Sequence, residues 1–342
     1  MRDIGIALST FILIIFGSVV LDSLTPHIFP NYFVYIFVAS LAFLFFSNID
    51  FDVTALFSKY FYGISVFLLV LTLIIGRVTR GTIRWIPLGP FTLQPAEVVR
   101  PFLLVFFASY LTRGEVTLKK VFKSLGLLAI PAILIVIQPS LGVSILTVIG
   151  FIGVLIASKF NKKYLLTGLL VVLVLLPIFW QILAPYQKQR ILTYLEPSSD
   201  PLGAGYNSLQ STIAAGSGKI FGTGLGKGIQ TQLSFLPEKQ TDFVFAATAE
   251  ELGFVGAGLL LLVSFFILFR LTKIMESSES AAARAYVSGF FLSYLVQIFI
   301  HTGMNMGMLP VTGLPFPLVS SGGSSLLATM TGLGIAVGAK RK

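Results

Sequence analysis

From Ile4 to Leu21 the chain runs without a charged side chain, and comparable apolar runs recur almost to its end. A helix needs about 20 mostly apolar residues to cross hydrocarbon. A chain made of such runs has one stable solution, a bundle of spanning helices whose backbone groups bond inside each segment. Composition agrees: 55% of the residues are hydrophobic and 11% are charged, about half the charged share of a soluble domain. The runs read as about ten spans, at roughly 4–22, 29–47, 61–76, 97–112, 121–138, 141–158, 164–183, 243–269, 284–305 and 320–338. The first follows only Arg2 and Asp3, lacks a small-residue cleavage site and is followed by more spans. It is therefore read as helix one and not as a cleaved signal peptide.

An even number of spans puts both termini on one side. With the termini in the cytoplasm, most of the Lys and Arg fall in cytoplasmic segments, above all the loops 113–123 and 159–163 and the C-terminal tail. That is the positive-inside pattern. It accounts for much of the net charge of +10 and leaves nucleic-acid binding without support, because the basic residues are scattered and not interleaved with aromatics. The chain has no cysteine and two histidines, His27 and His301, which exclude disulfides and a multi-histidine metal site. The one long loop, 184–242, carries Tyr186, Tyr194, Tyr206, Phe221 and Phe235 and is expected to fold as a cap of short helices. The expected fold is an all-α integral membrane protein, a single polytopic domain over 1–342, with that loop extracytoplasmic between helices 7 and 8.

Several motifs ask for more than packing. Arg77, Arg80 and Arg84 share a short outer connection, where the charge rule disfavours them, and an anionic ligand would repay them. GSGKIFGTGLGKG, Gly216–Gly228, lacks the residue order and preceding strand of a phosphate-binding loop. Tight turns near a ligand or the membrane surface suit it better, and Lys219 and Lys227 could meet an anion there. In LQPAEVVRPF, Pro95 suits a helix start, and Glu97 and Arg100 share a helix face, either neutralising each other or facing an internal cavity. IQPSLG, Ile137–Gly142, reads as a break between spans. LPVTGLPFPLVSSGGSS, Leu309–Ser325, is irregular backbone at membrane depth, so Ser320 and Ser321 serve close packing or line a cavity. His301 and Asn305 precede it on one helix face.

The stretch SFLPEKQTDFVFAATAEELGFVG, Ser234–Gly256, puts Glu238, Lys239 and Asp242 at the mouth of a span, with Thr241 as its expected N-cap. Glu250 and Glu251 follow two turns inside an apolar helix, where two adjacent acids are costly without partners or water. Capping does not explain them; they belong to a cavity or to structure.

These motifs together closely resemble the signature of the shape, elongation, division and sporulation (SEDS) family, the RodA/FtsW/SpoVE proteins, over almost the whole chain. Thr-Gln before LPE and the LPVTGLPFPL run resemble its RodA-like elongation branch more than its division branch. The resemblance implies a peptidoglycan glycosyltransferase of the bacterial cytoplasmic (inner) membrane, with an outward-facing site that polymerises lipid II and releases undecaprenyl diphosphate. It implies Asp242 as the catalytic residue and Glu97 as the cavity acid. The residues expected to bind substrate or line the cavity are Glu97, Arg100, Arg84, Lys227, Glu238, Lys239, Thr241, Ser320 and Ser321. A divalent cation, Mg or Mn, could share the diphosphate with Asp242. No Ser-x-x-Lys crosslinking domain is present, so a class B penicillin-binding protein is the implied partner, alongside membrane lipids. Two positions depart from the family pattern: Arg100 stands where lysine is usual, and Ser140 replaces the aspartate of QPDLG. The rival readings are a lipid II flippase or other transporter, and a non-enzymatic scaffold.

Overall fold

The computed structural model describes residues 3–79, 82–158, 160, 164, 180–181, 183–196 and 203–340. The chain opens with α1 (Ile4–Leu24), whose first turn is closed by the Asp3 carboxylate accepting from Ile6 N at 3.1 Å. Then come α2 (Phe29–Asn48), α3 (Phe51–Leu56) and α4 (Ser58–Ile75). The segments α5 (Pro95–Val98) and α6 (Arg100–Thr112) form one apolar run, followed by α7 (Leu118–Ile137) and α8 (Leu141–Ala157). Seven helical segments among the described residues are long and apolar enough to cross a membrane. Together with the shorter apolar helix α8 and the final α14 (Gly323–Gly338) they fall on the expected runs. The expected span at 164–183 lies almost wholly outside the described residues.

One element departs from the all-α expectation. Between α4 and α5 the chain forms three antiparallel strands, β1 (Arg77–Thr79), β2 (Thr82–Leu88) and β3 (Phe91–Leu93), with Arg77 opposite Trp85 and Pro87 opposite Thr92. Such short strands leave little periodicity in the sequence, but Thr, Ile and Trp suit a pleated surface.

The long loop does fold as a cap of short helices: α9 (Pro185–Leu195), α10 (Ala204–Ser217) and α11 (Ile229–Gln232). It is tied to the end of α13 (Ala281–Asn305) and to the loop after it at three points. Tyr194 Oη donates to Met308 O at 2.8 Å, Arg190 Nη1 to Val311 O at 3.1 Å, and Ser211 Oγ to Asn305 O at 2.8 Å. Next to the cap runs α12 (Val244–Ser277), broken at Gly253, where φ is 68° and ψ is −167°. Its first ten residues are almost entirely buried, and from Phe254 onward an apolar stripe (Phe254, Leu262, Phe265, Phe269) is exposed. α14 is buried along nearly its whole length and forms the centre of the bundle. In lipid such helices are held by close packing and internal polar bonds.

Candidate functional site

Glu238 lies just before α12 with a left-handed φ of 53°. Its carbonyl accepts the amides of Thr241 and Asp242, each at 3.0 Å, and of Phe243 at 3.3 Å. This tight turn displaces the start of α12 past Thr241. The expected N-cap is therefore corrected: the cap position is Phe243, without a side-chain bond, and Thr241 Oγ1 donates to Glu238 Oε2 at 3.1 Å. The N-terminal amide of Ala246 is satisfied instead by Asn305 Oδ1 of the neighbouring helix, at 2.9 Å. Asn305 Nδ2 donates to the carbonyl of Asp242, also at 2.9 Å.

Asn305 belongs to a polar ladder on α13. One turn earlier, His301 Nδ1 bonds Leu314 O at 2.7 Å; one turn before that, Gln297 Nε2 donates to Pro315 O at 2.9 Å. All three side chains are buried. Gln297 and His301 satisfy carbonyls of an irregular loop at membrane depth, which lipid could not do. Gln297 also accepts from Arg100 Nη2 at 3.2 Å, and that same nitrogen lies 3.0 Å from Glu97 Oε2 in a buried ion pair. The i, i+3 spacing of Glu97 and Arg100 thus produces the pair expected from sequence.

These elements enclose a cavity of about 200 Å³, walled by β2, the α7–α8 turn, α9, the 238–242 turn and the 310–315 loop. Its lining includes Glu97, Glu238, Thr241 and Asp242, with Arg84 from β2 and Arg190 from α9. A Cβ built on Gly313 would lie 3.6 Å from Asp242 Oδ2 and 4.0 Å from Arg190 Nη1. The absence of a side chain there leaves the carboxylate and the guanidinium on either side of one small patch of backbone. Ser140 lines the cavity and its hydroxyl accepts from Gln94 Nε2 at 2.9 Å, so the residue at the family's aspartate position is a neutral hydrogen-bonding group.

The other expected site residues lie elsewhere. Arg100 is behind the wall, holding Glu97. Lys227 is exposed on the glycine-rich loop, away from the cavity lining. Lys239 reaches away to the carbonyl of Thr231. Burial lowers its ammonium below the usual lysine value, while Glu251 and then Glu250 partly raise it. Ser320 and Ser321 do not line the cavity; they brace it. Ser320 Oγ donates to Thr241 O at 2.7 Å and accepts from Phe316 N at 2.8 Å, and Ser321 N donates to Gln240 O at 2.9 Å. Of the SSGGSS run, Ser324 and Ser325 reach the cavity. Arg80 and the side chain of Arg77 lie outside what the structure describes.

Glu250 and Glu251 are structural. Glu250 accepts Gln230 N at 2.8 Å and Thr231 N at 3.0 Å, capping α11 with a charge that complements its dipole. Glu251 accepts from Gln232 Nε2 at 2.9 Å and from Ser23 Oγ on α1. Sequence reasoning passed over Arg190 and Gln94 as cavity residues. The first shares a face of α9 with Gln187 and Ile191, an i, i+3, i+4 pattern that would have marked it. Among the described residues no group of three His, Asp or Glu side chains is close enough to hold a metal ion.

The bundle and its charged cavity define a polytopic membrane protein of the kind whose intramembrane charges mark a substrate path. The chain belongs to the FtsW/RodA/SpoVE family, described as cell cycle proteins, whose family model matches residues 4–342. It is 39% identical over 281 residues to the peptidoglycan glycosyltransferase MrdB of Escherichia coli (strain K12), covering 81% of this chain and 76% of that one. It is 38% identical over 285 residues to the probable peptidoglycan glycosyltransferase FtsW of Aeromonas salmonicida (strain A449), covering 80% and 71%. Among solved structures, a chain of a peptidoglycan synthase complex that coordinates polymerization and crosslinking superposes with a TM-score of 0.84 at 30% identity, covering 98% of this chain and 96% of that one. The rod shape determining protein RodA of Thermus thermophilus superposes with a TM-score of 0.74 at 26% identity and the same coverage.

Proposed function

We propose that this protein is a RodA-like peptidoglycan glycosyltransferase that joins lipid II disaccharide units into glycan strands for cell elongation, on the outer face of the bacterial cytoplasmic membrane. The names of its relatives support the activity. The observation that carries the site is the placement of Asp242 on a cavity that also exposes Arg84 and Arg190.

In this mechanism Asp242 accepts the proton of the acceptor sugar 4-hydroxyl. The hydroxyl oxygen attacks the anomeric carbon of the lipid-linked donor. The C1–O bond to the diphosphate breaks, undecaprenyl diphosphate departs with the electron pair, and the α linkage inverts to a β-1,4 bond. A positioned base contributes about 10² to 10⁴ in rate. Arg84 and Arg190 stabilise the charge that develops on the leaving diphosphate, most effectively where water is excluded. Glu97, held by Arg100, orients substrate on the opposite wall. A divalent cation bound with the diphosphate would be held by Asp242 and would share the charge of the leaving group. Crosslinking falls to a class B penicillin-binding protein, a reading supported by the solved complex that coordinates the two activities.

The test is glycan polymerisation from purified lipid II, with and without that partner, comparing wild type with Asp242→Asn. Polymer from wild type and none from a folded mutant supports the proposal. Equal activity in both removes Asp242 from the chemistry. No activity in either, with the partner present, favours a transporter or scaffold.

A further inference from the structure

The glycine-rich segment Gly216–Gly228 plays no part in the cavity, yet the fold places it with care. Lys219 O accepts from Phe254 N at 2.8 Å and Ile220 O from Val255 N at 3.1 Å, at the break in α12. The loop lies flush against the helix. A Cβ at Gly218 would meet the carbonyl of Ala249, and one at Gly222 the carbonyl of Glu251, both far inside contact distance. Glycine is therefore required at both positions for this approach.

The level of this contact follows from length. α12 has 34 residues, about 51 Å of helix, against a hydrocarbon core of about 30 Å. The part beyond Gly253 suffices alone at about 36 Å, and it is the part that carries the exposed apolar stripe. Lys219 and Ile220 thus pair with the helix where it leaves the hydrocarbon.

The side chains match that level. Phe221 is 81% exposed, more than any other large hydrophobic residue among those described. Ile220, Leu225, Ile229 and Leu233 are exposed beside it. Lys219 and Lys227 are exposed as well, and no acidic residue occurs from Ser217 to Leu236. A soluble surface rarely shows such a contiguous apolar patch. Basic residues flanking exposed aromatic and aliphatic ones are the signature of a segment lying in a membrane interface, drawn to anionic lipid.

We infer that residues 219–233 form an interfacial anchor that seats in the bilayer leaflet on the cavity's side, with Ile220, Phe221, Leu225, Ile229 and Leu233 among the acyl chains and Lys219 and Lys227 on anionic headgroups. Its occupant is lipid, because the patch continues the lipid-facing stripe of α12 through the Lys219–Phe254 and Ile220–Val255 bonds. The anchor holds α11 and the turn bearing Asp242 at a fixed height above the acyl chains. It stands whether or not the chain polymerises glycan.

The absence of cysteine makes the test direct. Phe221→Cys and Ile229→Cys are spin-labelled singly in the full chain and reconstituted in vesicles of phosphatidylcholine with or without phosphatidylglycerol. Accessibility to oxygen and to a water-soluble nickel chelate is then measured, with Leu262→Cys as the lipid standard and Gln189→Cys as the aqueous one. The two loop labels should favour oxygen over the chelate severalfold, as at Leu262, and sit deeper when phosphatidylglycerol is present. Adding Lys219→Gln and Lys227→Gln should remove that lipid dependence. Labels that follow Gln189, or that are shielded from both reagents as under a protein partner or second copy, overturn the inference. Equal depth in both lipids with the lysines intact overturns its anionic-headgroup half.

Discussion

Glu250 and Glu251 stand side by side in α12, with every carboxylate oxygen accepting from the cap, the α11 backbone or α1. Glu97 and Asp242 come from distant parts of the chain and share the lining of one cavity. All four are acids at the mouths or inside of apolar helices, and charge cost alone ranks the first pair as the more costly. The difference lies in what their oxygens meet. A buried carboxylate whose lone pairs are consumed by fixed amides organises structure. Glu97 is paired with Arg100 and still lines the cavity together with Asp242, so both acids stand where a ligand would meet them. Asp242 gains its place through its backbone, held by the Glu238 carbonyl and Asn305, so that its carboxylate is turned to the cavity.

The comparison is sharpest at Asp242. Asp242→Asn keeps the shape of the side chain and should cut the polymerisation kcat by about 10² to 10⁴ with an unchanged melting temperature. Turnover near wild type would dissolve the distinction. Glu250→Ala should behave in the opposite way. It strands the amides of Gln230 and Thr231, at about 1–3 kcal/mol for each buried group left unsatisfied. The melting temperature in detergent should fall, while kcat per folded molecule stays within a few-fold. A stable but inactive Glu250→Ala would move this acid to the chemical side.

Asn305→Ala should fall between the two. It removes one donor from Asp242 O and the acceptor of Ala246 N, so thermal stability drops by about 1–3 kcal/mol. Activity should fall in kcat more than in KM, because the turn that aims Asp242 loosens. The smallest effect is expected for Arg100→Lys. Both contacts come from the single nitrogen Nη2, and an ammonium keeps the charge but sits on a stem one bond shorter, so it must stretch to reach Glu97 and Gln297 together. A few-fold loss in kcat, read from the same lipid II assay, is the expected result.

The parts of the fold legible in the sequence are those encoded locally. Apolar runs mark the spans, and the i, i+3 spacing marks the Glu97–Arg100 pair. The family motif led to Asp242. What stayed hidden depends on contacts between distant segments. Ser320 and Ser321 looked equally suited to lining and packing, and only the bonds to Thr241 and Gln240 show that they brace the turn. Thr241 had the right chemistry for a cap, but Asn305, far along the chain, satisfies the helix end instead. Arg190 became a cavity residue because Val311 and Gly313 return beside it. The three strands at 77–93 were too short to print a period.

The ladder on α13 has a mechanical consequence. Gln297, His301 and Asn305, one turn apart, grip the carbonyls of Pro315, Leu314 and Asp242. A slide of α13 along its axis by one full turn, about 5.4 Å, would take all three bonds out of range together. One wall of the cavity, through Gln297 and Arg100, and the other, through Asn305, would shift with it. The two carboxylates are geared to one shaft, so an axial displacement of that helix would be felt at both walls of the cavity at once.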